Sequence, residues 1–483
     1  MALLAPGEGA ILSFGELARL AARLHELSQG GGSRVVLYTE SRLAQAAVLA
    51  AGLMAGCVVC PVNPAATNEA VARLVRHAGA TVFVSDTEVP GVFDLARTGA
   101  LRDVRTASLL GALSASDTAP PLRSGLGASG GMLVYTSGST GDPKGVLLDE
   151  RHLGANVRFA IDHFGYDADW VTGSLLPLFH TFTVISDLLP MLVCGGRVVL
   201  APGFSVPRLK ASARAFADHE VRSYSAVPII FDTMLAMRFP LPGSVRFAIA
   251  GAAPLSDDTQ RRYLSTYGHP IFPCYGLTET TCFAAASSLD GVRPGAVGKA
   301  AGIEIEVVDE QCVPLPAGET GEICFRGPSV LSALPNGSGY FEDEGKHKDA
   351  FRRAGWFLSG DVGRLDAAGF LRITGRIKNM LIRGGEKVYL EDVDRCLEAH
   401  PAVAEACSVR MGARRHEDEA VAFIVAAQQD PGRVDKTALG AFVITKLGPF
   451  SRLDDIVIVD EIPRSPSGKA LREVLAARYL ASR

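Results

Sequence analysis

YTSGSTGDPKGV, residues 135–146, is the stretch on which the reading of this chain turns. It follows Met132, Leu133 and Val134, an apolar run of the kind that forms a buried strand. Gly138, Gly141 and Gly145 permit backbone angles closed to other residues and let N–H groups approach an anion. Thr136, Ser137, Ser139 and Thr140 add hydroxyl donors, and Lys144 adds a cation. A strand end carrying this set predicts a loop that grips phosphate. The order of residues excludes a Walker A loop, because Pro143 precedes the lysine and Gly145 follows it. It is not a GxGxxG dinucleotide turn either. A Ser/Gly-rich linker is the plainer alternative, but linkers seldom follow a buried-strand signal.

The rest of the chain supplies a body for such a loop. Its 483 residues exceed what one core accommodates, so two or more domains are expected. Hydrophobic content of 48%, charged content of 21% and a net charge of -4 describe an ordinary globular protein, with no electrostatic case for nucleic acid or an anionic membrane as partner. Cys57 and Cys60 have the spacing of a redox or metal motif. No second such pair accompanies them, and Val and Gly surround them, so they read as buried strand thiols. Nine cysteines, otherwise scattered, fit a reducing compartment, and the start of the chain lacks a signal-peptide pattern, so a cytoplasmic location is expected. Residues 44–62 are long and nonpolar enough to span a bilayer, but their Ala/Gly richness and their VVCPVNP ending read as a buried helix followed by a buried strand.

Helical and strand patterns alternate from the start. Residues 13–27 open with a capping Ser13 and Glu16. RVVLYTE, VVCPVNP and TVFVSD follow, separated by helical segments, and the rhythm recurs at residues 197–202, 223–228 and 245–256. This β-α-β order predicts parallel sheets covered by helices. Beyond about residue 295 the texture changes to short antiparallel strands, IEIEVVDE, GEICFRG and residues 355–376, with a hairpin at 367–369. From residue 377 an α+β pattern resumes: a helix at 391–399, strands at 407–410 and 420–427, a helix at 436–447, the strand DIVIVDEIP, a PRSPSGK loop and a last helix. The fold class is thus α/β. A large N-terminal domain of parallel-rich sheets sandwiched by helices, with a small β-barrel-like part, is expected over residues 1–375. A hinge is placed at 376–378 and a small α+β C-terminal domain at 379–483.

Several stretches, taken in order, resemble one family. They are YTSGSTGDPKGV, LPLFHTF, GAAPLS, YGLTETT, GEICFRGP, GWFLSGD, GRIKNMLIRGGEKV and PRSPSGKALR. Together they span almost the whole chain and are similar to the adenylate-forming enzymes: acyl-CoA synthetases, peptide-synthetase adenylation domains and luciferases. Acyl- and aryl-CoA synthetases are the nearest in pattern. The resemblance implies ATP, Mg²⁺ and coenzyme A as cosubstrates and cofactor, activation of a carboxylic acid as acyl-AMP with loss of pyrophosphate, and a mobile C-terminal domain. Carboxylate attack on the α-phosphorus brings anions together, so cations and donors must act most strongly in the transition state.

The resemblance implies a role for each matching residue. Thr136, Ser137, Gly138, Ser139, Thr140, Gly141 and Lys144 would serve the pyrophosphate end. Thr278 would contact the α-phosphate, and Glu279 would hold Mg²⁺, since one carboxylate with phosphate oxygens suits that ion. Taken alone, YGLTETT is also a strand end with a helix cap. Tyr275, Gly276, Gly251, Ala252 and Ala253 would line adenine. Asp361 would bind the ribose hydroxyls, with Arg376 as a second ribose or phosphate contact; read alone, they are a turn residue and a surface arginine. Lys469 would be the catalytic lysine that bridges the substrate carboxylate and the α-phosphate. Lys378 would mark the hinge, and Gly384 and Gly385 would admit the pantetheine arm, although a hairpin turn would also explain that glycine pair.

The acid side is less defined. Amino-acid-activating relatives carry an Asp where this chain has His180, after Phe179, and no acidic residue follows until Asp187. A buried ammonium without a partner is costly, which argues against an α-amino acid. His180 either gates an acyl tunnel or lines the core. Segments 179–183, 224–229, 250–252, 275–277 and 282–286 would form the acyl pocket, and their small or apolar members, among them Ala226, Val227, Ile229, Cys282, Ala284 and Ala285, favour a bulky apolar acid. Departures from the family pattern fall on the acceptor side: a charge-dense SGYFEDEGKHKDAFRRA and Leu390 where relatives commonly carry proline. Transfer to coenzyme A, delivery of acyl-AMP to a carrier protein or partner enzyme, and a catalytically inactive nucleotide-binding protein are therefore the readings to separate.

Overall fold

A computed structural model describes residues 2–28, 32–97, 99, 101–111, 130–137, 143–203, 206–289, 291–331, 339–341, 349–384, 386–414, 417–427, 434–465 and 469–482. Two compact units emerge, one of Met1–Glu304 with Phe325–Phe357, the other of Ile305–Cys324 with Leu358–Arg483.

The first unit is built on two mixed sheets. In one, Val58–Pro61, Arg34–Tyr38, Val82–Ser85 and Arg102–Arg105 run parallel, and Gly131–Ser137 joins Val58–Pro61, also in parallel. The helices Arg42–Met54 and Asn68–His77 make the crossovers, as the alternating pattern predicts. Ser13 Oγ accepts from Glu16 N at 3.2 Å while Glu16 Oε2 accepts from Ser13 N at 2.7 Å, which starts the helix Phe14–Ser28 with a capping box. The nonpolar stretch at 44–62 is indeed a buried helix and a buried strand, and no helix among the described residues is long and apolar enough to cross a membrane. Cys57 and Cys60 are buried, and burial pushes the Cys60 thiol up to about 12.

In the second sheet, Leu3–Ala5, Arg197–Leu200, Val171–Ser174, Ser223–Ala226, Phe247–Ala250 and Ile271–Tyr275 run parallel to one another, with antiparallel strands added at both edges. Phe231, Tyr224, Tyr263 and Phe216 form the centre of its core.

A helical segment after residue 180 departs from the regular pattern. It widens into a π-turn at Val184–Leu188 before the helix Leu189–Cys194. Pro190 has no N–H to bond back to Ser186, so the α-helical ladder cannot continue through that turn. The π-turn carries Asp187, which is 1% exposed. Its carbonyl accepts from Thr172 Oγ1 at 2.9 Å, and its Oδ1 accepts from Ser225 Oγ at 2.6 Å and Ser186 Oγ at 3.0 Å. Oδ2 has no hydrogen-bond partner among the described residues. Burial raises this carboxyl to about 7, against the pull of the Arg42 guanidinium and the two serine donors.

The second unit contains most of a four-stranded sheet, ordered Glu304–Val308, Gly321–Arg326, Phe357–Leu365 and Leu371–Arg376. The expected hairpin closes with Asp366 N donating to Phe370 O at 3.0 Å and Gly369 at φ +80°. This sheet is grouped with the C-terminal residues. The reason is local: Arg395 Nη2 of the helix Leu390–Glu398 donates to Thr374 O at 3.1 Å, and Asn379 Nδ2 donates to Glu391 Oε1 at 2.5 Å. Residues 376–378 lie at the end of Leu371–Arg376 and in the 3-10 turn Ile377–Asn379.

The remainder of this unit is a sheet of Val403–Arg414, Glu417–Ala426 and Asp455–Ile458, packed by the helices Leu390–Glu398, Lys436–Leu447 and Arg472–Ala481. Arg383, fully buried, ties a short hairpin to it. Its Nε donates to Asp418 O at 2.8 Å, Nη1 donates to Phe450 O at 3.4 Å and to Arg452 O, and Nη2 pairs with Asp454.

Two tests follow from these buried charges. Arg383→Met strands a carboxylate and three carbonyls, and is expected to destabilise the second unit by about 3 kcal/mol, read from its urea transition; an unchanged midpoint would refute the anchoring role. Asp187 titrates near 7 in the folded protein and near 4 when unfolded, so the native state holds a proton that the unfolded chain releases. The associated stability is complete below about pH 4 and is lost as pH rises through 7, by up to about 4 kcal/mol. Asp187→Asn should therefore match the parent below about pH 4 and exceed it in stability at pH 8, as measured by denaturation at each pH.

Candidate active site

The opening motif folds as an antiparallel hairpin. Gly131–Ser137 pairs with Pro143–Asp149, placing Thr136 opposite Lys144. The tip residues Gly138, Ser139, Thr140 and Gly141 lie outside the described residues, as does the Ser137 side chain. Thr136 Oγ1 donates to Lys144 O at 3.4 Å. Gly145 corrects one expectation. It is absent from the residues with left-handed backbone and sits in regular strand. Its use is packing, because an added Cβ would lie 3.1 Å from Phe341 Cβ and 3.2 Å from Leu133 Cδ1.

The second motif emerges from the strand Ile271–Tyr275 and turns at once. Gly276 is needed there, since a Cβ would lie 1.5 Å from Cys282 O. Leu277 N donates to Thr280 Oγ1 at 2.9 Å and opens the 3-10 turn Thr278–Thr280. The chain then reverses at Thr281, at φ +66° and ψ −55°, where Cys282 N bonds back to Thr280 O at 2.8 Å. This is a γ-turn, a strained conformation for a β-branched residue. Its surroundings hold it: Thr281 Oγ1 donates to Ser329 O at 2.7 Å, Leu331 N to Glu279 O at 2.6 Å, and buried Asn156 exchanges two 2.9 Å bonds with the Phe283 backbone. Glu279 is thereby fixed through its backbone.

These two motifs meet. Lys144 Nζ lies 3.0 Å from Glu279 Oε1, and the side chains are only 18% and 12% exposed. Tyr340 completes the group. Its hydroxyl donates to the same Oε1 at 2.9 Å, and the Lys144 ammonium lies 3.6 Å from its ring centroid. The Lys144–Glu279 geometry suits a phosphate cation beside a magnesium carboxylate. Among the described residues no cluster of three or more His, Cys, Asp or Glu could hold a metal as an all-protein cage. Mg²⁺ is ordinarily held by one or two carboxylates with substrate phosphates and water, and an anchored single carboxylate fits that pattern.

Around them, Gly251 is buried where an added Cβ would lie 2.9 Å from both Cys274 Sγ and Phe182 Cζ. Ala252 is exposed at φ +68° beside half-buried Ala253, so the GAAPLS backbone is presented outward. Tyr275 is half-buried, 6.0 Å from the Phe325 ring. His180 precedes the turn Thr181–Thr183 and packs 4.4 Å from the Phe179 ring. Burial raises the thiol pKa values of Cys274 and Cys282, so both are protonated and unreactive near neutrality. The Tyr224 side chain turns into the core, 2.5 Å from the Tyr263 hydroxyl.

In the second unit, Asp361 and Arg376 are opposite each other in register and form a bidentate pair, Nε to Oδ1 at 2.5 Å and Nη2 to Oδ2 at 3.3 Å. Asp361 is 3% exposed. Lys378 is exposed in its 3-10 turn. Gly384, at φ +56°, turns the hairpin anchored by Arg383; Gly385 lies outside the described residues. Lys469 is exposed; Ser465 N donates to Lys469 O at 2.8 Å and Lys469 N to Ser465 Oγ at 3.2 Å. Arg472, three residues further on, pairs with Asp394 at 2.7 Å, and Asp394 in turn accepts from Ser408 N at 2.5 Å.

Sequence reading missed Tyr340, Asn156, Arg383 and Arg472. Each does its work through pairing across the chain, which leaves little local signal. Tyr340 sits in the segment remarked on only for its charge.

Comparison with known proteins gives a consistent result. The model of the AMP-binding enzyme family matches residues 7–334, and that of the AMP-binding enzyme C-terminal domain matches 392–469. The chain is 31% identical to the sulfoacetate–CoA ligase of Cupriavidus necator, covering 97% of this chain and 93% of that one. It is 30% identical to 4-coumarate–CoA ligase 5 of Oryza sativa subsp. japonica, covering 98% and 90%. Among solved structures, ATP-bound MatB from Rhodopseudomonas palustris superimposes with a TM-score of 0.87 at 27% identity, over 99% of this chain and 95% of that one. Family models that cover most of the chain, and relatives matched over nearly its full length, place this chain in the AMP-binding enzyme family of adenylate-forming acid–thiol ligases.

Proposed function

We propose that this chain uses ATP and Mg²⁺ to activate a bulky, apolar carboxylic acid as its acyl-adenylate and then transfers the acyl group to the thiol of coenzyme A. The observation that carries the first half is the 3.0 Å contact between Lys144 and Glu279 at the ends of two motifs. In adenylation a carboxylate oxygen bonds to the α-phosphorus, and the bond to the bridging oxygen breaks as pyrophosphate leaves. Lys144 and the hairpin tip stabilise the departing pyrophosphate, and Thr278 the α-phosphate. Glu279 would hold Mg²⁺, which draws charge from the phosphate oxygens. Asp361 with Arg376 takes the ribose. Lys469 offsets the repulsion between the carboxylate and the phosphate. In the second half the thiol sulfur bonds to the acyl carbon, the acyl–oxygen bond breaks, AMP leaves and the thiol proton passes to solvent. The hairpin at Gly384 is assigned to this step, with the change between halves centred on Lys378.

The acid is inferred from small and apolar side chains: Ala226, Val227, Cys282, Ala284 and Ala285. His180 faces the same choice of gate or wall, and His180→Ala, assayed across acids of graded length, distinguishes them by a changed length preference.

Acid-dependent exchange of pyrophosphate into ATP tests the first half. Lys469→Ala and Glu279→Gln should each lower it by about 100-fold with folding intact; exchange that survives Lys469→Ala unchanged would overturn the assigned role. The acid and the acceptor are tested together by incubation with coenzyme A and weighing of the product. Aryl, alicyclic and fatty acids should yield thioester more readily than sulfoacetate or oxalate. Exchange without thioester would instead favour hand-over of acyl-AMP to a carrier protein or partner enzyme, and no exchange with any acid would favour an inactive nucleotide-binding protein.

A further inference from the structure

We propose that Tyr340 is a positioning residue of the phosphate–magnesium site, one side chain that sets the placement of both the Lys144 ammonium and the Glu279 carboxylate. The proposal rests on the ATP-site reading above and extends it to a residue outside the motifs that suggested it. Gly339–Tyr340 adds a third strand to the hairpin, pairing antiparallel with Pro143–Asp149 so that Tyr340 is opposite Val146. Side chains two apart on a strand share a face, so Lys144 is the diagonal neighbour of Tyr340 on the side that both present. The register therefore puts the ring under the ammonium, at 3.6 Å from its centroid, while the hydroxyl reaches Glu279 Oε1 at 2.9 Å. Phe341, the next residue, locks this register: its N–H donates to Gly145 O at 2.9 Å, and its ring lies 5.4 Å from His77 and 4.7 Å from the Arg34 guanidinium.

The ring and the hydroxyl have separable work. The ring face attracts the ammonium whether or not Glu279 is its partner, so it keeps Lys144 in place when phosphate takes the place of the carboxylate. The hydroxyl supplies a charge-assisted bond to Glu279 that persists once Lys144 turns to phosphate. Loss of the hydroxyl then acts on the metal-dependent part of binding, and loss of the ring on the phosphate-dependent part.

Equilibrium titration calorimetry of the full-length protein, with no carboxylic acid present, separates the two. Metal-free ATP and ATP with Mg²⁺ are each titrated into the parent, Tyr340→Phe and Tyr340→Leu, with thermal unfolding of each unliganded protein recorded alongside. Tyr340→Phe should bind metal-free ATP as the parent does and lose about tenfold in affinity for ATP with Mg²⁺. Tyr340→Leu should in addition lose about fivefold for metal-free ATP. In Glu279→Gln, adding Tyr340→Phe should bring no further tenfold loss, since the hydroxyl's charged partner is gone. Parent-like binding by both variants, or an equal loss with and without Mg²⁺ in Tyr340→Phe, overturns the proposal. Absence of ATP binding by the parent would instead overturn the ATP-site reading beneath it.

Discussion

Two opposite charges 3.0 Å apart, both largely withdrawn from water, are the contact on which the candidate site depends. A carboxylate or an ammonium left alone in that position would lack its hydration without compensation. Each is therefore held by the other, and Tyr340 touches both. The consequence is a constraint on the ligand. A bare polyphosphate offers Lys144 a new partner and leaves Glu279 without a counter-charge. A polyphosphate carrying a divalent cation offers one to each, so the exchange conserves paired charge. A nucleotide with its metal is thus the form of ATP to which the resting arrangement is complementary.

The scaffold explains why residues far apart in the chain reach this place. Ser223–Ala226, Phe247–Ala250 and Ile271–Tyr275 are adjacent and parallel, so the segments that follow them leave the sheet at the same edge. GAAPLS and YGLTETT are two of those segments. Their closeness is visible in Gly251, whose N–H donates to Ala226 O at 3.4 Å and whose missing side chain would meet Cys274. The γ-turn at Thr281 then sends the chain back antiparallel through Ala285–Ala286. Backbone strain is tolerated at Thr281 because Asn156, Ser329 and Leu331 bond to the segment around it.

Much of this was legible beforehand. Alternating apolar runs and helical periodicity marked the parallel strands Arg34–Tyr38, Val58–Pro61, Val82–Ser85, Arg197–Leu200, Ser223–Ala226 and Phe247–Ala250, because burial on both faces forces continuous apolar runs. Motif order pointed to Lys144 and Glu279 as neighbours, and they lie 3.0 Å apart. What the sequence left hidden depends on pairings between distant segments. The hairpin after Ser137 and its third strand at Gly339–Tyr340 are set by register, which no local pattern encodes. The π-turn at Asp187 needed knowledge of which strands lie beneath it. Gly145 looked like a conformational glycine and is a packing one, a distinction visible only once Phe341 is in place.

The loop bearing Lys469 shows how a flexible side chain gains a defined base. A lysine stem has many rotamers, and fixing its ammonium is costly unless the backbone beneath it is already ordered. Here the order comes from the residues that follow. Arg472 opens the last helix, and its guanidinium pairs with buried Asp394, which also receives Ser408 N. The Asp394 and Glu391 carboxylates hold the Arg472 guanidinium charged despite its burial. The helix start is thereby fixed to the sheet, and two hydrogen bonds join Lys469 to Ser465. A cation that is to meet its anions at one stage of a reaction and leave them at the next needs such a base.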